Sequence, residues 1–213
     1  CACLVGSEMC IRDRIYIGHI PEVGATALTG VGLTFPLIMI ISAFSMLIGM
    51  GGAPRVAFKL GEQDQKGAEE IVGNCTASLA VVAVILTVVT LVFAKPLLLA
   101  FGGNADTTLP YAVQYINIYA FGTIFVQFVL GLNPFITAQG FSMTSMKTIL
   151  IGAVTNIVLD PVFIFVFGMG VRGAALATIL SQCLSAVWVL RFLTGKTTTL
   201  RIQKKHLRFN PCL

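Results

Sequence analysis

An all-α integral membrane protein, a polytopic bundle of about five transmembrane helices, is the fold class this sequence predicts. Three observations carry that prediction. Hydrophobic residues make up 56% of the 213 residues and charged residues only 11%, against about 25% charged in ordinary soluble domains. Mean hydropathy is +0.91. The apolar residues are gathered into stretches of bilayer-crossing length, and the charges stand between them. A net charge of +5 raises the question of nucleic acid. The basic residues cluster at stretch ends and in the tail, however, so nucleic acid is not an expected partner and membrane lipid is.

The first residues are set apart from the rest. Leu4 to Arg14 reads LVGSEMCIRDR, which resembles the conceptual translation of a sequencing-library adapter. Residues 1–14 are therefore excluded from fold reasoning. The organisation expected is artefact over 1–14, a transmembrane bundle over 15–195, and a basic linker over 196–213 leading toward a further lobe of the same chain. Of the six cysteines, Cys75 and Cys183 lie in apolar stretches and pack as small hydrophobes. No CxxC pair or His cluster points to zinc.

Five stretches follow in order. The first, Leu28–Gly52, lies in a run without charge from Glu22 to Arg55, and Pro36 within it predicts a bend. The second is Ile71–Ala94, between Glu70 and Lys95. The third lies in the uncharged run Thr107–Met146, centred on Tyr119–Phe135 and closed by Asn133-Pro134. The fourth is Thr148–Val171, and the fifth is Gly173–Leu190, ending at Arg191. The third run is long enough to hide a second span, and the distribution of basic residues decides against it. With single spans, one side receives Arg55, Lys59, Lys66, Lys147, Arg191, Lys196, Arg201, Lys204, Lys205 and Arg208, and the other only Lys95 and Arg172. That places the Arg55–Glu70 segment and the basic tail in the cytoplasm, under the cell (inner) membrane. The mixed-charge segment Lys59–Ile71 reads as a solvated turn and helix start.

Asp160 is the residue that points to function. It interrupts an otherwise uncharged span, at a cost of about 2.5–3.5 kcal/mol on insertion scales. Asn156, four residues earlier, shares its helix face. Pro161 has no N–H and deprives the carbonyl of Ile157 of its helical partner. A carboxylate, an amide and a loose backbone oxygen thus fall within one turn. Thr178 stands on the next span, where its hydroxyl serves either close packing or an oxygen cage. Gln127 and Asn133 of the third span either line a cavity or bond neighbouring helices. Gly168-Met169-Gly170-Val171-Arg172-Gly173 is a literal GxGxxG. No Asp or Glu follows Asp160, so the acidic residue a dinucleotide site needs is missing. A tight hairpin between two spans is the expected role. With no histidine inside a span, neither a membrane enzyme nor a cofactor is expected.

Several long stretches carry a family resemblance. Gly32–Phe44 (GLTFPLIMIISAF), Leu47–Asn74, Leu130–Gly140 (LGLNPFITAQG), Leu150–Phe165 (LIGAVTNIVLDPVFIF) and Gly168–Gln182 resemble the multidrug and toxic compound extrusion (MATE) transporters. The resemblance implies spans two to six of a six-helix N-terminal lobe, within twelve helices in two pseudo-symmetric lobes. It implies a Na⁺ or H⁺ site at Asp160, Asn156 and Thr178. To these it adds Asp13, which stands in RDRIYIG in register with a family Asp. It implies a substrate cavity lined by Asn133. Gln127, Phe35 and Phe125 are assigned to the same cavity as polar and aromatic wall, and Phe121 and Phe128 extend that wall. The expected activity is antiport: export of amphipathic, often cationic drugs in exchange for Na⁺ or H⁺. Two alternatives stand beside it, a lipid-linked oligosaccharide flippase of a related superfamily and a membrane subunit without transport.

Overall fold

The structure, a computed structural model, describes residues 17–18, 24–104, 107–195, 198 and 200. Its elements are α1 (Gly24–Gly61), α2 (Gln65–Ala100), α3 (Leu109–Ala138), α4 (Ser142–Pro161) with a π-helical turn (Val162–Val166), and α5 (Val171–Thr194). Among the described residues, five helices are long and apolar enough to cross a membrane. The third run is a single helix, as the charge distribution requires.

Two helices outrun the apolar stretches that predict them. α1 has 38 residues, about 57 Å at 1.5 Å per residue, well beyond a hydrocarbon core of about 30 Å. It passes through Pro36 and Pro54 and continues to Gly61, carrying Arg55 and Lys59 on its last turns. The turn that follows is three residues long. Gln63 takes a positive φ of 61°, and Asp64 caps α2 by accepting the Gly67 N–H at 3.0 Å. The polar segment read as a solvated turn and helix start is such a turn at 62–64 followed by the start of α2 at Gln65. α1 reaches into it to Gly61, because its Ala, Lys, Gln and Glu residues are good helix formers. α3 likewise runs past Asn133-Pro134 to Ala138.

α3 forms the centre of the bundle, packing on α1, α2 and α5 and to a lesser extent on α4. Small residues make this possible, since apolar lipid supplies no hydrophobic drive and helices associate by close backbone approach. A Cβ at Gly49 would stand 2.6 Å from the Gly131 carbonyl oxygen, so α1 and α3 touch backbone to backbone there. α2 lies at the margin. Val84, Ile85, Val88 and Val92 on its outer face are exposed, which suits lipid contact.

The α4–α5 connection is the hairpin expected from the glycine motif. Gly168 and Gly170 take φ of +62° and +54°, conformations that cost glycine little. Gly173 admits the carbonyl of Phe163, which a Cβ would approach to 2.7 Å. Helix, not strand, precedes the motif, so it cradles no dinucleotide.

Candidate ion and substrate sites

α4 buries only four residues: Thr148, Gly152, Asn156 and Asp160. They recur every four residues and so form one narrow stripe. The stripe faces α5. Ser185 Oγ donates to the Thr148 carbonyl at 3.3 Å and fills the space beside Gly152, where a Cβ would lie 2.8 Å from that oxygen. With Gly173 against Phe163, these contacts fix an antiparallel register that sets Thr178 level with the turn from Asn156 to Asp160.

Within the stripe, Asn156 and Asp160 are 0% exposed. Asn156 Nδ2 donates to Asp160 Oδ1 at 3.1 Å. The other end of that amide is different: Asn156 Oδ1 is buried and accepts no hydrogen bond among the described residues. Leaving a buried acceptor unmet costs about 1–3 kcal/mol. Thr178 is buried on α5, and its hydroxyl donates to the Ala174 carbonyl at 3.0 Å. With its proton committed to the backbone, its oxygen acts toward neighbours only as acceptor or ligand. Beyond Asp160 the helix changes pitch. Pro161 cannot donate, and the π turn closes with Phe167 N–H bonded to the Val162 carbonyl at 3.0 Å. Such turns are frequent at functional sites. Carboxylate, amide and hydroxyl oxygens make a hard donor set that suits Na⁺, and the same carboxylate can hold a proton. No group of three or more His, Cys, Asp or Glu gathers among the described residues. Asp13 lies outside them, as does the boundary expected at residue 14.

A second feature opens between α1, α3 and α4. It is a cavity of about 560 Å³ lined by Met46, Met50, Asn133, Pro134, Ser145 and Ile149, among others. Asn133 is nearly buried, and its Oδ1 accepts no hydrogen bond among the described residues. It is a polar acceptor in a mainly apolar and thioether wall that also carries the hydroxyls of Thr137 and Ser145.

The other residues assigned to the cavity lie elsewhere. Gln127 is fully buried in the α1–α3 interface. It accepts from Ser45 Oγ at 2.5 Å and donates Nε2 to the Ile41 carbonyl at 2.9 Å. Both ends of this amide are satisfied across two helices, the behaviour of a polar side chain that binds helices together in lipid. Phe35 and Phe125 are half-buried on α1 and α3, away from the cavity lining. Phe121 is 70% exposed. Sequence reading missed Ser45, whose hydroxyl among apolar neighbours was its only signal, and Ser145, which the start of α4 turns into the cavity.

Comparison with known proteins places this arrangement. The MatE family model matches residues 7–162. The multidrug export protein MepA of Staphylococcus haemolyticus (strain JCSC1435) is 29% identical over 198 residues, 93% of this chain and 43% of that protein. The probable multidrug resistance protein YpnP of Bacillus subtilis (strain 168) is 30% identical over 184 residues, 84% of this chain and 39% of that protein. A crystal structure of MATE in the bent conformation superposes with a TM-score of 0.89 at 27% identity, over 94% of this chain and 44% of that one. An inward-facing structure of a multidrug resistance MATE family transporter superposes with a TM-score of 0.86 at 26% identity, over 94% and 44%. The chain spans less than half the length of these relatives. By family model and fold alike, the chain belongs to the MatE family, and its helices are those of the N-terminal lobe of a MATE transporter.

Proposed function

We propose that this chain is the N-terminal part of a secondary active antiporter that exports amphipathic, often cationic drugs in exchange for Na⁺ or H⁺. The observation that carries the proposal is the Asn156–Asp160 pair, wholly buried in an apolar helix with one amide oxygen left unmet. A carboxylate kept at membrane depth against its insertion cost marks an ion or proton pathway. Na⁺ or H⁺ arriving at Asp160 neutralises it, with Asn156 and Thr178 contributing oxygens. No resident cofactor takes part. The π turn and Pro161 next to that carboxylate offer a backbone already departed from regular α-helix, on which neutralisation can act. Drug occupies the cavity lined by Met46, Met50 and Asn133, where apolar walls take up its body and Asn133 offers a hydrogen-bond acceptor. Partner lobes rocking about that cavity give alternating access. The end of the bundle that carries Arg55, Lys59, Lys66, Lys147 and Arg191 faces the cytoplasm of the cell's inner membrane.

The test uses the complete transporter reconstituted in vesicles. Asp160→Asn keeps size and hydrogen-bonding capacity and removes the charge. Ion-coupled drug efflux is expected to vanish while membrane insertion and thermal stability persist. Coupled efflux at the unmodified rate in Asp160→Asn overturns the assignment.

A further inference from the structure

Among the described residues beyond α5, Thr198 and Leu200 both meet the side chain of Gln139. Gln139 follows the last residue of α3 and spends both ends of its amide. Its Nε2 donates to the Phe135 carbonyl at 3.2 Å, one turn back in α3. Its Oε1 accepts from Thr198 Oγ1 at 2.7 Å and from the Leu200 N–H at 3.2 Å. Leu200 is 0% exposed and sits in the apolar cluster of Val56, Leu132, Phe135, Ile136, Val189 and Leu193. A polar hook and an apolar plug thus hold the same final turn of α3.

That turn needs holding. Pro134 has no N–H, so the carbonyl of Leu130 receives no helical bond and the ladder is interrupted. Leu130 and Pro134 both line the cavity, and beyond the interruption Thr137 and Ala138 line it too. The cavity wall is therefore split into a firmly bonded part and a terminal turn attached by fewer bonds. Thr198 and Leu200 clasp that terminal turn.

We infer that Gln139 is a positioning residue for transport. By holding the chain at Thr198 and Leu200, it keeps the last turn of α3 in place against the cavity, and release of this clasp accompanies opening of the cavity at that end. The inference rests on the transport reading, because it assigns the clasp a part in the transport cycle.

The experiment uses the complete transporter with its native cysteines replaced by alanine and Ala138→Cys introduced as a reporter on the cavity wall. Labelling by a membrane-impermeant maleimide is followed in detergent, with drug turnover measured in vesicles. Gln139→Leu removes the acceptor and is expected to label about 3–10-fold faster at rest, as loss of one or two hydrogen bonds implies. Its turnover is expected to fall, with thermal stability close to that of the parent. Gln139→Glu keeps an acceptor oxygen and is expected to restore both readouts. Thr198→Val, which removes the hydroxyl's bonds to Gln139 and to the Leu200 carbonyl and leaves α3 untouched, is expected to lie between, and it decides the question if Gln139→Leu does not fold. Parental labelling and turnover in Gln139→Leu or, where that fails to fold, in Thr198→Val overturn the proposal. So does equally fast labelling in Gln139→Glu. A parent that exports no drug defeats the transport reading and leaves the labelling comparison to decide whether the clasp holds the cavity wall.

Discussion

Two side-chain amides are equally buried and far apart in role. Gln127, between α1 and α3, has its oxygen on Ser45 and its nitrogen on Ile41. Asn156, between α4 and α5, has its nitrogen on Asp160 and its oxygen on nothing among the described residues. Both are 0% exposed, so burial does not separate them. What separates them is whether the protein itself supplies both partners. In lipid, where water cannot compensate, a completed amide acts as a bond between helices and an incomplete one holds an acceptor ready for something that arrives. The surroundings agree. The α1–α3 contact is backbone-close at Gly49 and Gly131. The α4 contact is a stripe one residue wide, ending in a proline and a π turn. One region is built to stay and the other to respond.

The largest expected effect comes from the incomplete amide. Asn156→Ala in the complete transporter removes the oxygen that the proposed ion site uses, together with the Nδ2 donor to Asp160. Ion affinity, read from the rise in thermal stability on titrating Na⁺ or from the pH dependence of drug efflux, is expected to weaken about 10–100-fold, the range found when a group supporting a metal site is removed. Stability without the coupling ion is expected to fall only modestly, because loss of the Nδ2 donor to Asp160 is offset by removal of an unmet buried oxygen. An unaltered ion response with a large loss of stability would reverse the roles assigned to the two amides.

The next effect belongs to Gln127. Gln127→Leu leaves Ser45 Oγ without its acceptor and breaks the bond to Ile41. Two interhelical hydrogen bonds in a membrane correspond to about 1–2 kcal/mol together, seen as a lower unfolding midpoint in detergent. The ion response of the folded fraction is expected to survive. A change in drug affinity without a change in stability would return Gln127 to the cavity lining.

How much of this was legible in the chain follows from the reach of each interaction. Asn156 and Asp160 are four residues apart, and helical periodicity alone puts them together. The hairpin at Gly168–Gly170 is likewise local, because positive φ is a property of the residue itself. The single span through Tyr119–Phe135 follows from where Arg55 and the basic tail must lie. Gln127 is different: its partner Ser45 is 82 positions away, and no local pattern tells a completed amide from an open one. The same holds for Gln139 and Leu200, 61 positions apart. The extension of α1 to Gly61 was hidden for another reason. Hydropathy marks where a helix enters lipid, whereas helix propensity decides where it stops, and the two part company after Arg55. The π turn had only Pro161 to announce it, and a proline signals a disturbed ladder without saying how the ladder is resumed.

The smallest effect is expected where water competes, and it calibrates the other two. Asp64 caps α2 outside the apolar spans, half-open to solvent at 44% side-chain exposure. The Gly67 N–H, and after it the Lys59 ammonium, hold its carboxyl below the ordinary value of 3.8. A depressed carboxylate contributes stability above its unfolded pKa and loses that contribution as pH falls through the folded value. Asp64→Ala is therefore expected to lower the unfolding midpoint slightly and evenly from pH 8 down to about 5, with the difference from the parent closing below the ordinary carboxylate range. Thermal scans of the two proteins across that range measure it. A difference that persists in strong acid would mean that Asp64 acts through packing and not through its charge. A difference as large as that of Gln127→Leu would mean that this turn, and not the buried amides, holds α1 against α2.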